Sequence, residues 1–307
     1  MNGFQPDLEV NIAGISFKNP VLAASGTFGF GREYSEYFDL SRLGGISVKG
    51  LTPLPRKGNP PPRIAETPAG ILNSVGLQNP GVHAFIENEI PFLRKYDTKI
   101  IANAAGNTAE EYESMAEILS ESDVDAIELN LSCPNVSEGC MIFGSTREGI
   151  GKVVSRVRKV CKKPLIVKLT PNVTDIVELA CAAEEAGADA VSLINTLLGM
   201  AIDIKTKRPI LGNIMGGLSG PAVKPVAVRM VYQVSKAVKI PIIGMGGISS
   251  GADAIEFLLA GASAVMIGTA GFVNPYVWVE TIDEIAQYMA ENGYKKVSQL
   301  TGALVTD

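Results

Sequence analysis

Eight short runs rich in valine, isoleucine and other apolar residues recur along the chain: PVLAASG, GGISVKG, KIIANAAG, AIELNLSCP, PLIVKLTP, AVSLINT, PIIGMGG and AVMIGTA. Near-continuous hydrophobicity, in place of strict alternation, marks strands covered on both faces, as in a parallel sheet. The segments TAEEYESMAEILSES, DIVELACAAEEAG, SGADAIEFLLAGA and NPYVWVETIDEIAQYMAENG instead space their apolar residues three and four apart and open on Thr, Asp, Ser or Asn. That is the pattern of capped amphipathic helices. Repeated strand–helix units whose strands end on Gly or Asn predict an α/β fold, a (β/α)8 TIM barrel. An open doubly wound sheet fits less well, because no GxGxxG opens the first helix.

Two segments break the alternation. LEVNIAGISFKNP alternates around Gly14 and predicts a short N-terminal β-hairpin plugging the lower end of the barrel. From Leu51 to Pro80 the chain is too rich in proline and glycine for a helix, so a long loop is expected over the C-terminal face, and loops of that length are usually functional. With 307 residues, 46% of them hydrophobic, the chain can bury one large core, and residues 1–307 are expected to form a single domain.

Charge narrows the partners. A formal net charge of −5 and a pI near 5.2 leave no basic excess to displace counterions from a polynucleotide, so nucleic acid is not an expected partner. The start MNGFQPDLEV lacks a basic n-region and an apolar core, which sets the expected location as cytoplasmic. Ala254 to Val273 could mimic a membrane span, but Glu256 and several glycines make it read as helix, turn and strand. The four cysteines, Cys133, Cys140, Cys161 and Cys181, form no CxxC pair and no iron–sulfur spacing, and no metal is expected in this chain. Cys161 and Cys181 lie in helical patterns and read as small core residues.

In a barrel the active groups collect where strands finish. Those ends carry Ser25, Gly26, Lys49, Gly50, Asn103, Asn130, Cys133, Asn135, Lys168, Asn195, Thr196, Gly246, Gly247, Gly268 and Thr269. Asn103, Asn130, Asn135, Asn195 and the loop residue Asn73 offer carboxamides that donate and accept, which suits a flat, neutral ring, although a single Asn is equally a turn residue. Lys168 inside IVKLTP must be paired or face an electron-rich ligand edge, and a Schiff-base role stays open. The pairs GMGGIS and MIGTAG follow the last two strands, where barrels bind phosphate through backbone N–H groups. Cys133 can be a base, a nucleophile or an inert thiol. The sole histidine, His83, reads as a helix-face residue and not as its activator.

The motifs NLSCPNV, GNPPPRIAETPAGILNSVGLQNPG, LAASGTFGFG, IVKLTPN, SLINT and PIIGMGGISSGADA together resemble the class I dihydroorotate dehydrogenases over about Leu8 to Val279, and the proline-rich loop and SLINT resemble the NAD-linked class IB. The resemblance implies an FMN-containing barrel oxidising dihydroorotate to orotate in pyrimidine biosynthesis, with Cys133 as the base. It implies substrate contacts from Lys49, Asn73, Ser74, Val75, Gly76, Leu77, Asn130, Asn195 and Thr196, with Asn135 closing over the site. For FMN it implies Ser25, Lys49, Gly50, Asn103, Asn130, Lys168, Ile194, Gly220, Gly246, Gly247, Gly268 and Thr269. Electrons would pass to NAD through a partner subunit carrying FAD and a [2Fe-2S] cluster, around a homodimeric core within a heterotetramer. Alternatives are a fumarate-linked homodimer, an FMN-dependent tRNA dihydrouridine synthase-like enzyme, a Schiff-base aldolase and a non-catalytic scaffold.

Overall fold

The computed structural model describes residues 5–131 and 143–306. Each of the eight predicted runs forms a strand of one closed parallel barrel: β3 (Val21–Ala23), β4 (Gly45–Ser47), β7 (Lys99–Ala104), β8 (Ala126–Asn130), β9 (Leu165–Lys168), β10 (Ala190–Leu193), β15 (Ile242–Met245) and β16 (Ala264–Ile267). They follow one another around the barrel in chain order, and β16 closes onto β3 through Val265↔Val21. Almost every residue in them is buried, the physical counterpart of their unbroken apolar sequences.

Between strands the chain returns along the outside. The segment before β7 carries α1 (Val82–Ala84), a π turn (Phe85–Glu89) and α2 (Ile90–Leu93). Later returns are α3 (Ala109–Ser120), α4 (Arg147–Arg158), α5 (Ile176–Glu185), α6 (Lys224–Ser235), α7 (Gly251–Leu259) and α8 (Val277–Glu291). Thr108, Asp175 and Ser250 cap α3, α5 and α7 by accepting first-turn amides, as their sequence positions predict. Asn274 does not cap α8 directly; its Oδ1 accepts the N–H of Tyr276, and the helix starts beyond it. Of the two helix-pattern cysteines, Cys161 lies past the end of α4 and is buried, whereas Cys181 sits in α5 only partly covered. The stretch suspected of mimicking a membrane span is α7, a turn and β16. Among the described residues no helix is long and apolar enough to cross a membrane.

The N-terminal hairpin pairs β1 (Val10–Ile12) with β2 (Ile15–Phe17). Phe17 is fully buried against the first residue of β4, where a Cβ on Gly45 would lie 3.1 Å from its ring, so the hairpin closes the N-terminal end of the barrel. Covering a side chain of that size contributes about 1.5–3 kcal/mol.

The opposite end differs from the simple loop that proline and glycine suggest. Within the Leu51–Pro80 segment, β5 (Ile64–Thr67) and β6 (Gly70–Asn73) form a hairpin, and the return after β10 supplies β11 (Leu197–Met200), β12 (Ile202–Asp203), β13 (Arg208–Pro209) and β14 (Met215–Ser219). β12 and β13 pair with each other, and the remaining four strands make an antiparallel sheet in the order β11-β14-β6-β5. Gly217 allows this close assembly: a Cβ there would overlap the Thr196 side chain.

Candidate active site

A cavity of about 890 Å³ opens at the C-terminal end of the barrel. Its floor is made by strand ends: Ser25 after β3, Lys49 and Gly50 after β4, Asn130 closing β8, Lys168 closing β9, Ile194 after β10, Gly246 and Gly247 after β15, and Gly268 and Thr269 after β16. The antiparallel sheet forms a side wall through Ile64, Glu66, Asn73 and Met215 to Ser219, and Ser74, Val75, Gly76 and Leu77 continue that wall beyond β6. Asn195, Thr196 and Gly220 also line the space. Residues separated by up to 244 positions in the chain therefore share one chamber, which is the gathering the strand-end reading predicts.

Register explains the most intimate pair. Asn130 and Lys168 are direct partners across β8 and β9, so carboxamide and ammonium stand side by side at the mouth. Tyr112 on α3 donates its hydroxyl to the Asn130 carbonyl at 2.7 Å, and Asn195 Nδ2 donates to Asn130 Oδ1 at 3.4 Å. Lys168 is 5% exposed, and among the described residues its ammonium has no hydrogen-bond acceptor or carboxylate partner. A salt bridge therefore has no described partner to support it, and an ammonium that lines the cavity without one suits an acceptor placed there.

The wall loop is held from behind. Asn59 Nδ2 donates to the Ser74 carbonyl at 2.9 Å, and Asn79 Nδ2 donates to the Leu77 carbonyl at 2.7 Å and to Thr52 Oγ1 at 2.8 Å. On the other side, Asn172 Nδ2 donates to the Thr196 carbonyl at 3.0 Å while its Oδ1 accepts the Leu198 N–H at 2.8 Å. None of these three supporting asparagines stood out in the sequence, where each reads as an ordinary turn residue.

At the other end of the cavity, Gly246 and Gly247 have φ of 122° and 81°, and a Cβ on Gly247 would come within 2.8 Å of the Lys224 backbone nitrogen. Glycine is thus required for this turn. Among the described residues, the amides of Gly246, Gly247, Gly268 and Thr269 make no loop or turn bond to another backbone carbonyl, leaving a group of donors suited to an anion. Thr269 Oγ1 donates to Ser219 Oγ at 2.8 Å. Behind the turn, Lys224 bridges Asp253 at 2.6 Å and Glu256 at 3.1 Å. Burial alone would raise the Asp253 carboxyl, but hydrogen bonds from Lys224 and Ser249 and the lysine charge hold it below the ordinary carboxylate range. Its hydrogen bond to Asp253 raises Lys224 above the usual lysine value, against the opposing pull of burial.

Asn103 is the predicted floor residue that does not line the cavity. It is fully buried in β7, with Nδ2 donating to Glu128 at 2.6 Å and Oδ1 lacking a partner. Glu128 itself escapes a sequence reading because a lone acid in AIELNL carries no sign of its burial. Cys133, Asn135 and Cys140 lie outside the described residues. His83 is exposed on α1, in keeping with a helix-face position.

Fold and site together define a (β/α)8-barrel protein with a chamber in the position barrel enzymes use, lined on one side by a donor-rich glycine turn and on another by a wall that includes Asn73. The model of the dihydroorotate dehydrogenase family matches residues 7–289, slightly beyond the Leu8–Val279 resemblance, and the chain belongs to that family. The dihydroorotate dehydrogenase B (NAD(+)) catalytic subunit of Alkaliphilus metalliredigens is 60% identical over 97% of this chain and 99% of its own length. The equivalent subunit of Thermoanaerobacter pseudethanolicus is 58% identical over 98% of this chain and the whole of its own. A solved structure of DHODH from Eimeria tenella in complex with ferulenol shares the fold with a TM-score of 0.80, at 24% identity, covering 99% of this chain and 90% of that one.

Proposed function

We propose that this chain oxidises dihydroorotate to orotate in pyrimidine biosynthesis, as the FMN-dependent catalytic subunit of an NAD-linked enzyme, with residues 1–307 acting as one FMN-binding barrel domain. The observation that carries the reading is the single chamber that joins a donor-rich glycine turn, an unpaired Lys168 ammonium and the carboxamides of Asn73, Asn130 and Asn195. The residues present fit FMN: the amides of Gly246, Gly247, Gly268 and Thr269 suit its phosphate, and the orphaned Asn103 Oδ1 suits a ring N–H. Bound there, FMN would supply the acceptor for the hydride that leaves C6 of dihydroorotate.

Under this reading the chain's own groups divide the remaining work. Ser25, Lys49, Gly50, Asn103, Asn130, Lys168, Ile194, Gly220 and the four glycine-turn residues hold the cofactor. Lys168 adds a fixed positive charge where negative charge accumulates, and its desolvated setting strengthens that effect. Lys49, the Asn73–Leu77 wall, Asn130, Asn195 and Thr196 orient the substrate, and Asn135 closes over it. The Cys133 sulfur takes the C5 proton, a task suited to a thiol because its ordinary pKa of about 8.5 lies near cellular pH.

The relatives' description as catalytic subunits supports a partner, and we infer that it carries FAD and a [2Fe-2S] cluster in a heterotetramer built on a dimer of this chain. The reaction is placed in the cytoplasm, whose reducing conditions suit the free thiols Cys161 and Cys181. The test is spectroscopic. The purified chain should show flavin absorption that dihydroorotate bleaches, and Cys133→Ala should keep the flavin bands while slowing the bleaching by about a hundredfold or more. A colourless native protein, or a variant that bleaches at the native rate, overturns the assignment.

A further inference from the structure

Beneath the chamber lies a carboxylate that the proposed reaction does not use. Glu128, on β8, is fully buried. Its Oε2 accepts from Ser47 Oγ on β4 at 2.7 Å and from Asn103 Nδ2 on β7 at 2.6 Å, and its Oε1 accepts from Ser192 Oγ on β10 at 2.6 Å. Donors from three other strands thus converge on one side chain in the barrel interior. An enclosed carboxylate without such donors would be strongly disfavoured, so the four residues stand or fall as a set.

The consequence falls on Asn103. A carboxylate accepts hydrogen bonds, so the Asn103 carboxamide must turn its NH₂ toward Glu128, and the opposite flip would set oxygen against oxygen. This leaves Oδ1 as the other end of the group, and that atom is buried without a partner, a condition rare enough in native folds to require a cause. A Cβ on the cavity-lining Gly50 would stand 2.9 Å from it, so glycine is what separates the atom from the chamber without crowding it.

We propose that Glu128 is a positioning residue that locks the Asn103 carboxamide in one flip state, so that the barrel floor offers an acceptor and selects a heterocyclic ring edge bearing an N–H. Two ligands of this site carry that chemistry, the imide N–H of the flavin ring and the ring N–H of the pyrimidine. The inference rests on the FMN-dependent reading and extends it to an atom that fixes how the ring is seated. With the carboxamide flipped, NH₂ would face N–H and the preference would be lost.

The test compares full-length native protein, Glu128→Gln and Asn103→Ala, each stripped of flavin and titrated with FMN and with FMN methylated at ring N3, and in parallel with orotate and its N-methyl derivatives. Native protein should prefer the unmethylated member of one pair by about tenfold or more, the effect of leaving one buried acceptor unpaired. Glu128→Gln offers its own N–H to Asn103 and so permits the flip; it should narrow that ratio at least severalfold, and Asn103→Ala should remove it. A purely structural role would weaken both members equally and leave the ratio intact. Narrowing in the flavin pair identifies the cofactor as the donor, and narrowing in the orotate pair identifies the substrate. Ratios unchanged in both variants overturn the proposal, and Asn103→Ala alone decides the matter where Glu128→Gln does not fold. A native protein that binds orotate but no FMN refutes the flavin reading and leaves the orotate pair to judge Glu128.

Discussion

Lys168 shows how far a single residue can be read from its place in a strand. IVKLTP puts a cation inside a barrel, and among the described residues no carboxylate or carbonyl meets the ammonium, which leaves the salt-bridge reading without a partner. Lys168→Ala is expected to raise the dissociation constant for FMN by about tenfold or more, measured by titrating flavin into the apoprotein, since a charge-assisted contact in a desolvated site exceeds an ordinary hydrogen bond. The same logic fails for Glu128. Its partners Ser47, Asn103 and Ser192 lie on three other strands, so nothing local in AIELNL distinguishes it from a solvated acid. Pairwise register across a closed barrel is a tertiary fact, and one-dimensional pattern does not contain it.

At the scale of elements, the eight barrel strands are legible because burial on both faces leaves an apolar run that solvent exposure would interrupt. The wall sheet is not. β14 reads MGGLS, where two glycines suppress the usual strand signature, and the segment holding β5 and β6 is dominated by proline and glycine. What selects strand there is the neighbouring strand of the same sheet, brought from a distant part of the chain through Gly217↔Asn73 and Leu218↔Leu72. Helix starts are legible where Thr108, Asp175 and Ser250 cap them, and the Lys224–Asp253 pair ties the start of α7 to that of α6, which has no side-chain cap, behind the glycine turn. Asp253 is held below its ordinary value, so its contribution is complete above about pH 4 and fades as pH falls through the lowered folded value. Lys224 is raised, so its contribution persists up to about pH 10.4 and is lost as pH climbs through the folded value above that. Asp253→Asn should accordingly lower the melting temperature by roughly 2–4 °C at neutral pH, and the gap to native should close as melting is repeated below about pH 4.

For the whole molecule, a family match across residues 7–289 and relatives described as NAD(+) catalytic subunits frame the expected behaviour of the isolated chain. Dihydroorotate should bleach its flavin, whereas NAD reduction should stay at background until an electron-transfer subunit is added, followed by absorbance of the reduced nicotinamide. Sustained turnover with fumarate by the chain alone would mark the fumarate-linked type instead. At net charge −5 the chain is expected to bind nucleic acid weakly, and binding retained in high salt would overturn that expectation.

The canopy above the barrel mouth is assembled from two excursions, one leaving after β4 and the other after β10, and neither contributes a strand to the barrel itself. Floor and canopy therefore come from different segments of the chain, tied together by the bonds of Asn172 to Thr196 and Leu198 and of Thr269 to Ser219. Changes in the canopy away from those bonds are expected to reshape the entrance while leaving the β8–β9 ladder that carries the lysine and the buried carboxylate in place. A breeder of new specificities would work on those excursions as a cassette, and leave the machinery below untouched.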